Sequence, residues 1–137
     1  MSQQNIDLIK RIYKHFSARE YDDVVKNFSD DFEWSAADNS PLADRSPYRG
    51  VREIREGVFG RIEASFKRLN FRIDEIIDAG DKVVLLGYYE GEYASGSSAP
   101  RAQAAHVWTI RDGKGVKFQQ YLDTLAVARG ASAAAAD

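Results

Sequence analysis

The chain has no cysteine and only two histidines. The first absence excludes disulfides and thiol chemistry and fits a reducing compartment. With so few soft ligands, no dedicated zinc or iron site is expected. No apolar run approaches the roughly 20 residues that a membrane-spanning helix needs. The opening MSQQNIDLIKRIY lacks a basic stretch followed by an apolar one, so no signal peptide is expected. Charge of one sign is missing too: 19 Lys and Arg stand against 21 Asp and Glu, a formal net charge of −2 with no basic footprint for nucleic acid. These absences lead to the expectation of a cytoplasmic protein with neither nucleic-acid nor membrane partners.

What is present is the composition of an ordinary globular domain. The 137 residues are 44% hydrophobic and 29% charged, which suits one domain with one core. Aromatic residues make up 12%, enough to line an apolar cavity as well as fill a core. The expected division is a single domain over residues 1–126 and a low-complexity tail over 127–137, ending GASAAAAD, that is disordered or a frayed helical extension.

Ile6, Ile9, Ile12, Tyr13 and Phe16 recur at helical spacing and predict an amphipathic helix over Gln3–Ala18. Asp22 and Asp23 are candidate caps for a short second helix carrying Val24, Val25 and Phe28. Phe32–Ser35 reads as a strand, and Ala37–Ser46, with Pro41 at its middle, as a loop. A third helix is expected over Val51–Arg68, on the stripe Val51, Ile54, Val58, Ile62 and Phe66. Gly57 and Gly60 weaken its interior and predict a close contact or a bend. A β-meander then begins at Phe71, Ile73 and Ile76, turns at Ala79–Lys82, and continues in a strand Val83–Tyr93. Gly87 and Gly91 in that strand predict bulges or curvature. Helices followed by antiparallel strands make the class α+β.

The last hairpin carries the candidate chemistry. Ala104–Arg111 and Val116–Leu122 read as strands joined by Asp112–Gly115. Side chains alternate along a strand, so His106, Trp108 and Ile110 share one face and Gln119, Tyr121 and Asp123 share another. A register that joins those faces places an imidazole and a carboxylate in one space, walled by Trp108 and Tyr121.

The chain resembles the nuclear transport factor two-like superfamily, and within it the SnoaL-like polyketide cyclase and ketosteroid-isomerase-related proteins. The residues that carry the resemblance are Phe28–Trp34, Tyr48-Arg49-Gly50, Ala105–Trp108 with Asp112-Gly113-Lys114, and Phe118–Thr124. It implies a cone: three N-terminal helices packed in a strongly curved, mainly antiparallel sheet that encloses a pocket. The pocket-lining candidates are Tyr13, Phe16, Trp34, Tyr48, Phe59, Trp108 and Tyr121. The resemblance further implies Asp123 as general acid/base and His106 beside it, with no cofactor. Burial would raise the pKa of such a carboxylate towards the useful range, and an adjacent His could orient it or donate to an enolate oxygen. The alternative reading is that His106 and Asp123 simply satisfy one another in a polar core site.

Other branches of the family fit less well. Ala36 and Ile12 fall where a ketosteroid isomerase has its base and its tyrosine; His106 falls at the position of its protonated acid, while Asp38 and Tyr13 lie close enough to substitute. The epoxide-hydrolase branch needs an Arg that Val83–Tyr93 lacks, although Glu90 could supply a carboxylate. His15 is expected to be solvated, and Arg49, Arg52 and Arg55 to form a solvated helix face. Two functions follow. One is an enzyme acting on a small hydrophobic carbonyl compound by proton transfer, of cyclase or isomerase type. The other is a non-catalytic module that binds a hydrophobic small molecule or dimerises. Apolar residues on the outer sheet face, read as Val107, Thr109, Phe118 and Leu122, predict a homodimer through that face.

Overall fold

A computed structural model describes residues 2–136, without the side chains of residues 2, 135 and 136. Helix α1 (Ser2–Ser17) buries Leu8, Ile9, Ile12 and Tyr13 on one face, as the spacing of its apolar residues requires. Helix α2 (Tyr21–Val25) follows. Asp22 and Asp23 lie in its first turn rather than capping it, and Phe28 opens a strand instead of extending it.

That strand, β1 (Phe28–Ser35), begins earlier than the sequence predicts. The loop after it contains a 3-10 turn over Ala43–Arg45 and leads through the short β2 (Tyr48–Arg49) into the third helical stretch. This stretch is α3 (Gly50–Ile54), a π-helical turn (Arg55–Phe59) and α4 (Gly60–Ser65). Gly57 sits in the π turn with the Tyr48 ring against it; a Cβ there would come within 2.5 Å of the ring. The close contact is one of the two effects expected of its glycines. Phe66, Lys67 and Arg68 belong to the next strand, so the helix is shorter than expected.

Four long strands complete the sheet: β3 (Phe66–Ala79), β4 (Lys82–Tyr93), β5 (Ala102–Arg111) and β6 (Lys114–Leu122). The order is β2-β1-β6-β5-β4-β3, antiparallel throughout except where β1 runs parallel to β6. The sheet is open, its inner face is covered by the helices, and the fold is the expected α+β cone. Gly87 shapes it directly. A Cβ at that position would lie 1.9 Å from the Arg72 carbonyl, and β3 is bulged beside it between Ile73 and Glu75. None of the described helices is long and apolar enough to cross a membrane.

Of the two states expected for the tail from residue 127, disordered or a helical extension, the structure has the helix. Thr124–Ala136 forms α5, and residue 137 lies outside the described residues. An alanine-rich run has high helix propensity. The helix also packs: Gly130 meets Pro100 and the Tyr93 hydroxyl so closely that a Cβ would come within 2.4 Å of the proline ring.

Candidate active site: a histidine between two phenols

Alternation places Val83, Leu85 and Tyr89 of β4, His106 and Trp108 of β5, and Phe118, Gln120 and Leu122 of β6 on the inner face. Across the strands, Trp108 pairs with Phe118, His106 with Gln120 and Ala104 with Leu122. Helix α1 lays Tyr13 and Phe16 over this face, and Trp34 and Phe59 close it from β1 and the π turn. Together they bound a cavity of about 220 Å³, which the 40–42 loop, Pro100 and Val127 of α5 also line.

Two expected site residues are elsewhere. Asp123 and Tyr121 lie on the outer side, Asp123 exposed and Tyr121 58% exposed. The reason is one residue of register. Ile110 pairs with Gly115, but Thr109 pairs with Lys117, so Val116 is an extra residue in β6. An unbulged hairpin, whether its turn had two residues or four, would have set His106 opposite the odd-numbered residues. The bulge exchanges the faces and brings Phe118, Gln120 and Leu122 inward. Asp123 then serves the next element: its Oδ1 accepts the Ala126 N–H at 3.1 Å and caps α5. The same exchange turns Phe118 and Leu122 away from the outer face assigned to them. Tyr48 is buried but does not line the cavity; its hydroxyl donates to the Leu42 carbonyl at 2.6 Å and accepts from Arg61.

Tyr13, Phe16, Trp34, Phe59, His106 and Trp108 do line it, and Tyr89, Gln120, Phe71 and Ser40 join them. Asp38 is exposed, and Glu90 pairs with Arg72 at 3.6 Å, so neither supplies a carboxylate there. No Asp or Glu lines the cavity among the described residues. Arg49, Arg52 and Arg55 pair with Glu33, Glu56 and Asp22 on the surface, and His15 bonds Glu20 at 2.9 Å.

In place of a carboxylate, His106 has two phenols. Tyr13 Oη is 2.5 Å from Nδ1 and Tyr89 Oη is 2.7 Å from Nε2. Trp108 Nε1 donates to Tyr13 Oη at 2.8 Å, and Gln120 Nε2 donates to Tyr89 Oη at 2.8 Å. Gln120 is held in turn by the Ala37 N–H on its Oε1 at 3.1 Å. The imidazole stacks on Phe71 with ring centres 4.0 Å apart. Burial pushes its pKa down to about 3, so it is neutral at ordinary pH. Burial pushes Tyr13 and Tyr89 up, against the smaller opposing pull of the Trp108 and Gln120 hydrogen bonds, so both phenols stay protonated.

Counting protons in this chain fixes what it can do. A neutral imidazole has one N–H. Five donors (Trp108 N–H, Tyr13 O–H, one His106 N–H, Tyr89 O–H and one Gln120 N–H) serve four contacts, so one hydroxyl proton is spare. With the proton on Nε2, the spare donor is Tyr89; with it on Nδ1, the spare donor is Tyr13. Both tyrosines line the cavity.

The profile of the SnoaL-like domain matches residues 9–118. The chain belongs to the SnoaL-like family. The fold of this SnoaL-like domain is found in a nuclear transport factor two-like protein from Burkholderia thailandensis E264, 32% identical over 91% of this chain and 95% of that one, with a TM-score of 0.80. It is also found in TerC, co-crystallized with polyporic acid (24% identity, 94% and 98% coverage, TM-score 0.82). A candidate SnoaL-like polyketide cyclase from Jannaschia sp. CCS1 shares it too, at 17% identity, 96% and 94% coverage and a TM-score of 0.80. No curated protein matches the chain. Of the residues that sequence reasoning missed, Tyr89 was within reach: it keeps the parity of Val83 and Leu85 along one strand. Gln120 was hidden by the bulge.

Proposed function

We propose that this SnoaL-like domain binds a small, mainly apolar carbonyl compound, whose oxygen accepts the spare hydroxyl proton of the Tyr13–His106–Tyr89 chain. The proton count carries this reading. One donor without an internal acceptor, set in an aromatic wall, asks for one acceptor on an apolar body.

The proton-transfer reading has less support, because it rested on Asp123. A general acid or base works best with a pKa near the operating pH. His106 is pushed far below that range, both phenols are pushed above it, and no carboxylate lines the cavity among the described residues. The site can polarise a carbonyl, but lacks a side chain to take the α-proton. The non-catalytic alternative is therefore favoured.

Both tryptophans of the chain, Trp34 and Trp108, line the cavity, so their fluorescence reports on its filling. Titration with 1-tetralone should quench it saturably. Of Tyr89→Phe and Tyr13→Phe, the one that removes the spare hydroxyl should weaken binding about five- to tenfold, the worth of one hydrogen bond. Catalysis is read separately by exchange of the tetralone C2 protons in deuterated buffer. Exchange well above the buffer rate would return the enzyme reading; saturable quenching without exchange is the expected result.

A further inference from the structure

Ser40 Oγ is buried, lines the cavity and has no hydrogen-bond partner; among the described residues it is the one buried side-chain polar atom in that position. Ser40 is 9% exposed. Its backbone is satisfied: the N–H donates to the Ala37 carbonyl at 3.1 Å and the carbonyl accepts from Ala43 at 3.0 Å. Only the hydroxyl is left over, and a buried polar group without a partner is costly.

The loop carrying it is tied down on several sides. Arg61 binds Asp44 through both guanidinium nitrogens, at 2.9 and 3.2 Å, and donates to the Pro41 carbonyl at 3.1 Å. Tyr48 holds the Leu42 carbonyl. Ala37, at the start of the loop, donates to Gln120 of the histidine–phenol chain. These ties hold the loop on both sides of Ser40.

We infer that Ser40 Oγ is a second polar anchor of the cavity, and that the natural ligand is a difunctional aromatic or alicyclic compound with a carbonyl at the Tyr13–His106–Tyr89 chain and a hydroxyl or second carbonyl at Ser40. This rests on the binding reading above and narrows it. A hydroxyl both donates and accepts, so Ser40 takes either kind of oxygen. Arg61 also lines the cavity, but its two terminal nitrogens are engaged by Asp44, Pro41 and Tyr48 and its charge is paired with Asp44. The second function is therefore expected to be neutral rather than anionic.

The test uses 1-tetralone and its 5-, 6- and 7-hydroxy derivatives as probes, with the full chain and Ser40→Ala. At least one hydroxytetralone should bind the parent about fivefold or more tighter than 1-tetralone, the worth of one added hydrogen bond. That gain should vanish in Ser40→Ala, while 1-tetralone binds both proteins alike. Without ligand, Ser40→Ala should melt no lower than the parent, because its hydroxyl has no internal bond to lose. Equal affinity of every hydroxytetralone for parent and variant would overturn the inference. So would a loss shared by 1-tetralone, or a melting point several degrees lower. Absence of saturable quenching by any of the four probes in the parent would overturn the binding reading itself.

Discussion

His106 should make this fold sensitive to mild acid. In the folded chain the imidazole is buried, with a pKa near 3; unfolded, it returns to about 6.5. Its folded pKa is depressed, so the unfolded state binds more protons and stability falls as pH drops through the window between the two values. From pH 7 to pH 5 the unfolded imidazole goes from mostly neutral to almost wholly charged, while the folded one stays neutral. The linked loss is about 2 kcal/mol. With a urea m-value of roughly 1–3 kcal/mol/M, the unfolding midpoint should fall by about 1 M. Carboxylates contribute mainly at lower pH. His106→Phe should remove this term. It keeps the ring contacts with Phe71 and Phe118, and it leaves Tyr13 with Trp108 and Tyr89 with Gln120. The assay is urea denaturation of parent and variant at both pH values, compared as slopes so that the variant's overall stability cancels. A parent whose midpoint falls no further than the variant's would refute the reasoning. Proton NMR gives a direct check: with two histidines in the chain, one imidazole should keep its neutral shift down to about pH 4.

Asp123→Ala should cost about 1 kcal/mol of stability through loss of the Ala126 cap, whereas Asp123→Asn, nearly as good a cap, should leave the melting point unchanged. Neither should alter tetralone affinity; a large loss of binding in both would mean that the carboxylate reaches the cavity after all. On the outer sheet face, Val84, Leu86, Tyr88, Val107 and Tyr121 form the surface left to the expected second copy, with Phe118 and Leu122 turned inward. Sedimentation at micromolar concentration should give twice 15.4 kDa for the parent and a shift towards 15.4 kDa for Tyr121→Glu; a parent that runs only at the smaller mass ends that expectation.

The architecture was legible where local signals and burial agree. The period of Ile6, Ile9, Ile12 and Tyr13 matches the buried face of α1, and the glycines at 57 and 87 stand where neighbouring groups leave no room for a Cβ. It was less legible where one composition serves two states. The alanine-rich end reads as low complexity, yet alanine is the strongest helix former, and the decision came from contacts that no local pattern records: the Asp123 cap, Val127 against the cavity, and Gly130 against Pro100. Phe66–Arg68 shows the same limit. Phe66 fits the apolar stripe of a helix, but pairing with Tyr93 across β4 holds it in a strand.

The site turned on a single inserted residue. His106 and Trp108 could be placed on the inner face from β5 alone, because one strand carries its own alternation. Which side chains of β6 meet them depends on the count of residues between the strands, and nothing in Lys114-Gly115-Val116-Lys117 announces that Val116 is extra. Gly115 hints at it after the fact: it packs under Phe32 and Trp108, and its N–H reaches back to the Asn27 carbonyl at 2.8 Å, so the start of β6 is drawn towards β1. That tertiary tie lies beside the bulge, and the bulge sets the carboxylate outside the cavity and admits Gln120. A neutral amide there cannot take a proton from a substrate. It can hold a phenol in place, as Gln120 holds Tyr89. The change from a catalytic to a binding reading thus follows from the parity of one strand.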